Sequence, residues 1–337
     1  MRKIAISLGD PAGVSYECIV KSAEAFEPDK AYILYGEEVV LRYAKERFNP
    51  SFEYQPVRDI SQVKTPGVYL ISLNRVRGVL GIKPSEAAGF VAVTYLGRMS
   101  ADVLRGEIDA IVTLPISKYW AKKGGKFSFP GQTEFVAFFQ RVQNFAMAFY
   151  SDTLKVVLQT IHIPLKEVPK QITKEAIVEK LKLIHSEWQR FFNITPKVGV
   201  LALNPHAGEE GEIGTEEVEV IKPAIEEAKS LGIDAEGPLV PDVAFIEDYR
   251  KNYDLLLAMY HDQGLIPFKM LAFDRGVNFT LGLPIPRTSP DHGTAFNIAW
   301  KGICNPRSTI EAIKLANKLA EKADKSQFLP KENPNAS

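Results

Sequence analysis

Short apolar, β-branched runs alternate with longer amphipathic stretches along the whole chain. Runs with strand character cover Lys3 to Ser7, Ala31 to Tyr35, Val68 to Ser72, Ala110 to Thr113, Ala146 to Tyr150, Lys155 to Ile161, Val198 to Leu203, Leu255 to Met259 and Val277 to Leu281. Near-continuous hydrophobicity of this kind predicts strands buried on both faces, as in a largely parallel sheet joined by crossover helices. The class expected is α/β, with two α/β/α domains.

The helical stretches are read from their stripes. Ile177, Leu181, Ile184 and Trp188 repeat on one face, and so do Val218, Ile221, Ile225 and Ala228; each set predicts a helix lying on a sheet. His185 falls beside the first stripe, which predicts a helix-surface residue. Ser308-Thr309-Ile310-Glu311 has the form of a capping box, so a helix is expected from there to about Glu321. The polar tail from Lys325 to Ser337, with two prolines, is expected to fray. Lys122-Lys123-Gly124-Gly125-Lys126 reads as a solvated loop or a hinge.

Length and composition narrow the picture. At 337 residues the chain exceeds what one hydrophobic core usually supports, so about two domains are expected, with a ligand cleft between them. The bounds expected are 1–125 with 284–337, and 126–283. Forty-one basic residues balance 41 acidic ones, which leaves no overall field to attract nucleic acid or an anionic membrane. Cys18 and Cys304 are too few for a disulfide framework, the first residues do not form a signal-peptide core, and no run reaches ~18 apolar residues. A cytoplasmic protein with a small-molecule partner is the expectation.

Three histidines, His162, His206 and His261, each follow an apolar run that reads as a strand. Ligands of open α/β sheets bind outside the carboxyl ends of the strands, so three imidazoles placed alike can converge on one cation. Against this, a histidine after a strand is commonly an ordinary loop residue, and the spacing matches no local zinc pattern.

Four loops carry the remaining chemistry. Gly9-Asp10-Pro11-Ala12-Gly13 follows the first strand, where glycine permits a tight turn and close backbone approach to a ligand. Phe129 to Phe135, with Gln132 and Thr133, leads into an apolar helical stretch, where donors at a helix N-terminus suit a phosphate; plain capping by Thr133 explains the pattern equally well. The small residues around His206, from Asn204 to Thr215, fit backbone packed against a bound group or a long flexible turn. His261-Asp262-Gln263-Gly264 puts an imidazole, a carboxylate and an amide in one turn, a density that folding alone does not readily explain. Downstream, Lys269, Asn278 and Arg287 can hold an anion, though taken singly the charged pair reads as solvated surface.

GDPAG, TIHIPL, NPHAGE, HDQGLIPFK and SPDHGTAFNIA, in this order and spread over nearly the whole chain, resemble the 4-hydroxythreonine-4-phosphate dehydrogenase family of vitamin B6 biosynthesis. The resemblance implies an isopropylmalate dehydrogenase-like fold and a homodimer with ligands for one site drawn from both subunits. It implies divalent-cation binding (Zn, Mg or Co) by His162, His206 and His261. It implies substrate binding by Gln132, Thr133, Lys269, Asn278 and Arg287, and NAD or NADP binding through Asp291, His292 and Asn297. Lys269 is then a proton relay or an anchor, and Asp262 orients the cation's ligands. Four departures stand out: Gln132 where the family usually has histidine, Val14-Ser15-Tyr16-Glu17 where the first loop usually continues with Gly-Pro after the branched residue, Asn297 for aspartate, and Trp300 for glycine. The reaction implied is oxidation of the substrate's secondary alcohol followed by loss of carbon dioxide. Gln132 leaves open a sister enzyme acting on threonate or erythronate 4-phosphate. A non-catalytic, cation-dependent binder of phosphorylated metabolites is the reading from another class.

Overall fold

The computed structural model describes residues 1–76 and 83–328. Its strands are β1 (Lys3–Ser7), β2 (Ala31–Gly36), β3 (Gln55–Val57), β4 (Gly67–Ser72), β5 (Ala110–Thr113), β6 (Ala146–Tyr150), β7 (Lys155–Leu158), β8 (Val198–Leu201), β9 (Ala235–Leu239), β10 (Leu255–Ala258), β11 (Val277–Leu281) and β12 (Arg287–Pro290). The helices are α1 (Ser15–Val20), α2 (Glu38–Phe48), α3 (Glu86–Leu104), α4 (Lys118–Gly125), α5 (Gln132–Phe139), α6 (Val168–Gln171), α7 (Lys174–Phe192), α8 (Lys222–Ser230), α9 (Pro241–Ala244), α10 (Glu247–Arg250), α11 (His261–Ala272) and α12 (Arg307–Ala320).

Two compact units result: Met1–Gln143 with Leu283–Ser337, and Asn144–Gly282. Residues 126–143, expected with the second unit, group with the first. The reason is local, because the Gln140 amide donates to the Ile285 carbonyl at 3.0 Å and accepts from the Ile285 N–H at 2.8 Å.

In the first unit the strand order is β3-β4-β2-β1-β5-β12, every pair parallel. Ile4, Ala5 and Ile6 of β1 and all of Ala31 to Tyr35 in β2 are fully buried, as central strands covered on both faces require. The second unit is mixed, ordered β11-β6-β7-β10-β8-β9. Only β6 runs against its neighbours, and β7, β10, β8 and β9 are parallel. Its core gathers Phe149, Val156, Leu158, Leu256, Leu265 and Phe268.

Three strands escape the apolar pattern for distinct reasons. β3 and β9 are edge strands carrying Pro56 and Pro238, residues that edges tolerate and hydrophobic runs exclude. β12 is buried yet polar, because its side chains bond inside the protein: Thr288 Oγ1 donates to the Ala312 carbonyl and Ser289 Oγ to the Thr113 carbonyl. The stripe of α7 is buried as expected, with His185 half-buried beside it. The second stripe starts differently. Glu217–Ile221 is a π turn, whose wider pitch shifts the phase and leaves Val218 40% exposed while Ile221, Ile225 and Ala228 are buried.

Two further expectations are corrected. α12 spans Arg307–Ala320, close to the helix expected there, but the Ser308 hydroxyl accepts from the Asp291 N–H rather than capping its own helix. Residues 122–125 are the last turn of α4, not a solvated loop. A Cβ on Gly124 would lie 1.7 Å from the Glu86 carbonyl oxygen, and one on Gly89 would lie 2.1 Å from that of Trp120, so these glycines let α3 and α4 touch backbone to backbone. The expected fraying falls largely on residues 329–337, outside the described residues; before them, Lys325 pairs with Asp109 at 2.8 Å and Gln327 donates to the Gln140 carbonyl.

Gly124→Ala would ordinarily stabilise a helix by up to ~1 kcal/mol. Here the carbonyl contact reverses the sign, and the variant should lose about 1–3 kcal/mol, read as a lower urea midpoint at unchanged slope.

Candidate active site

Because β7, β10 and β8 are adjacent and parallel, the segments leaving their carboxyl ends emerge side by side. His162 follows β7, and His261 is the first residue of α11 after β10. Their ring centroids lie 5.8 Å apart, and both line a cavity of about 390 Å³ with Tyr260 and Asp262. Asp262 Oδ1 sits 2.7 Å from His261 Nδ1. A carboxylate there fixes the tautomer and leaves Nε2 free to bind a cation.

His206 follows β8 and lines a neighbouring cavity of about 320 Å³ with Asn204, Asp242 and Gln263; Tyr260 lines both cavities. Its Nδ1 lies 3.0 Å from Glu209 Oε1, again a carboxylate on the same ring nitrogen. Among the described residues, no three His, Cys, Asp or Glu side chains of the chain gather closely enough to hold a metal ion. The chain thus pairs two of the three histidines and leaves the third one cavity away. Asp242 and Tyr260 were missed in the sequence, since neither sits in a motif with a chemical spacing.

The small residues near His206 serve the chain itself. The buried Glu217 carboxylate accepts from the backbone N–H groups of Leu203 and Asn204, both at 2.7 Å. A Cβ on Gly208 would lie 2.6 Å from Glu217 Oε2, and one on Gly214 would lie 2.5 Å from Asn204 Nδ2. His206, Ala207, Gly208, Glu209 and Glu210 all have left-handed φ, so the imidazole stands on a strained turn. Gln263 is likewise structural: it accepts from the Met259 N–H and donates to the Ala202 carbonyl, each at 2.7 Å, tying the exit of β10 to that of β8. Asn278 on β11 keeps a buried side-chain oxygen without a partner. Lys269 is exposed on α11, eight residues and so ~12 Å along the axis from His261.

The first unit holds the other set. Arg287, at the start of β12, is buried rather than solvated; its Nη1 donates to Thr133 Oγ1 and its Nε to Thr113 Oγ1, each at 2.9 Å. Burial pushes its guanidinium down to about 10, partly offset by attraction to Glu134. Thr133 therefore does not cap α5, whose N-cap, Gly131, offers no side-chain bond. Gln132 donates to the Leu114 carbonyl at 3.2 Å, while its oxygen and one of Glu134 are buried without partners. A buried cation beside an uncapped helix N-terminus suits an anion.

Around the proposed cofactor residues, Asp291 N–H donates to Ser308, His292 Nδ1 lies 2.9 Å from the Gly293 carbonyl, and Asn297 is exposed. Trp300 has φ +65°, a left-handed conformation that glycine adopts more readily than a residue with a side chain. Here indole packing against Tyr43 and Phe48 and a bond from Nε1 to the Pro11 carbonyl hold it. The glycines of the first loop also meet protein: Gly9 (φ +66°) approaches the Pro115 carbonyl and Gly13 that of Thr294. Asp10 is fully buried, with one oxygen accepting from Ala12 N–H and the other unpartnered.

The model of the family described as pyridoxal phosphate biosynthetic protein PdxA matches residues 29–316. A 4-hydroxythreonine-4-phosphate dehydrogenase of Aquifex aeolicus is 51% identical over 95% of this chain and 99% of its own length. A D-threonate 4-phosphate dehydrogenase of Pectobacterium atrosepticum is 36% identical over 94% of this chain and 99% of its own. The crystal structure of a 4-hydroxythreonine-4-phosphate dehydrogenase from Klebsiella pneumoniae superposes with a TM-score of 0.81 at 33% identity, covering 95% of this chain and 100% of that one. Among the described residues no helix is long and apolar enough to cross a membrane.

Burial raises the Asp10 carboxyl to about 6, against the opposing Ala12 hydrogen bond. A raised acid costs stability where it is ionised, so the cost is absent below the ordinary carboxylate range and complete above about pH 6. Asp10→Asn should stabilise the protein by on the order of 2 kcal/mol at neutral pH. The gain should vanish in acid, as followed by urea unfolding across pH.

Proposed function

The chain belongs to the family of the pyridoxal phosphate biosynthetic protein PdxA, and from that membership we infer that it is an oxidoreductase acting on the secondary alcohol of 4-phosphohydroxy-L-threonine with a nicotinamide cofactor. Hydride leaves the carbinol carbon for NAD or NADP, and the hydroxyl proton is released. The ketone formed is β to the carboxylate, so carbon dioxide departs and a proton replaces it, giving 3-amino-2-oxopropyl phosphate.

The observation that carries the assignment of roles is the His162–His261 pair with Asp262 on Nδ1. These two imidazoles, with His206, hold one divalent cation, and ligands for one site come from both subunits of a homodimer. An imidazole set suits zinc or cobalt better than oxygen-loving magnesium. Bound there, the cation supplies Lewis acidity at the alcohol oxygen. Asp262 holds the His261 tautomer. Thr133, Gln132 and Arg287 take the phosphate at the start of α5, and the free Asn278 oxygen accepts a substrate donor. Lys269 anchors substrate or relays a proton from the exposed face of α11. Asp291, His292 and Asn297 serve the cofactor.

A homodimer is supported by that same helix. Ile266, Met270 and, just past its end, Phe273 are 60%, 81% and 74% exposed on one stripe with Lys269, an apolar surface that a second copy would cover.

Gln132 favours a second reading. A neutral amide where the family usually has histidine alters how a phosphorylated acid is held, and one relative is named for D-threonate 4-phosphate. Rates of NADH formation decide: the first reading expects higher kcat/KM on 4-phosphohydroxy-L-threonine, and a preference for D-threonate or D-erythronate 4-phosphate overturns it.

Removing cations with a chelator, or the change His206→Ala, should abolish turnover while circular dichroism stays unchanged. Asp262→Asn should weaken cation affinity about 10- to 100-fold. Full activity of the His206 variant at saturating cation would contradict the assignment.

A further inference from the structure

The second unit has another cavity, of about 350 Å³, lined by Asn144, Gln159, Thr160, Gln171, Glu179 and Lys180. Lys180 sits on α7 one turn from both Ile177 and Ile184, so a cation occupies the stripe that faces the sheet. It makes no ion pair or hydrogen bond among the described residues, and burial alone acts on it, pushing its ammonium down. Gln159 brings a buried side-chain oxygen that accepts nothing. Thr160 is already committed to the Met259 carbonyl, and Glu179 to Lys182 at 2.8 Å. A half-buried cation with no counter-charge and a buried acceptor with no donor each cost free energy that a ligand offering both partners would recover.

We propose that this cavity is a second small-molecule site that takes a small hydroxycarboxylate, its carboxylate on Lys180 and its hydroxyl donating to Gln159 Oε1. One ammonium matches one negative charge, and the nearby Glu179 carboxylate disfavours a phosphate dianion. The site is separate from the roles assigned above and does not rest on them. It shares Ile161 and Ile163 with the cavity of His162, so an occupant packs against the segment that carries that histidine.

Calorimetric titration of the cation-free full chain with D-glycerate tests this, because without a cation the histidines cannot chelate a hydroxy acid. Wild type should bind D-glycerate, and propionate, which lacks the hydroxyl, more weakly. Lys180→Met should lose about tenfold or more in affinity, and Gln159→Leu should lose the preference for glycerate over propionate. Equal affinity in wild type and Lys180→Met, or no binding to wild type at millimolar glycerate, overturns the proposal. Crystals of the unaltered chain soaked in glycerate give a reading independent of variant folding. Ligand density on Lys180 supports the site; a cavity filled by a carboxylate of a second copy of the chain refutes it.

Discussion

Parallel strands that lie side by side end along one edge, and that constraint governs the second unit. β7, β10 and β8 deliver three histidine-bearing segments to the same border of the sheet, although the residues are far apart in the chain. What happens beyond the border is decided by local bonds. Gln263 ties two strand exits together, Asp262 sets the His261 ring, and Glu217 shapes the turn on which His206 stands. Sheet topology supplies the neighbourhood, and short-range hydrogen bonds set each imidazole within it.

The first unit addresses a different problem, that of keeping charge away from water. Arg287 is surrounded by the hydroxyls of Thr113 and Thr133, with Glu134 close enough to favour its charged form. Asp10 has one backbone donor and keeps a raised carboxyl. Buried charged groups of this kind cluster at functional sites more often than elsewhere, because the same desolvation that costs stability strengthens attraction to a charged ligand. The uncapped start of α5 adds partial positive charge beside Arg287.

Hydrophobic pattern revealed the buried strands and the stripe of α7, because burial on both faces leaves only apolar choices. It could not reveal β12, whose Thr288 and Ser289 are polar yet fully bonded inside, nor the π turn that displaces Val218. Motif composition singled out loops whose small residues it misjudged. Gly208, Gly214 and Gly13 looked like approaches to a ligand, and each is occupied by protein atoms. Lys122 to Gly125 looked solvated, whereas two of its positions close a helix pair. Glycine reports that something comes near, and sequence does not say what. The histidines were legible as a class through their place after strands, while the separation of His206 from the other two depends on a left-handed turn that no residue pattern announces.

Trp300 has a consequence of its own. With its backbone in a conformation that glycine adopts freely, its indole is pinned by Tyr43, Phe48 and the Pro11 carbonyl, while the Val14 N–H donates to the Thr294 carbonyl. The stretch between Asp291 and Gly302 is thereby stitched to the turn after β1 at two points. For the dinucleotide we propose to bind here, a segment fastened in this way has little freedom left to surrender, so the entropic toll of association would be largely settled during folding.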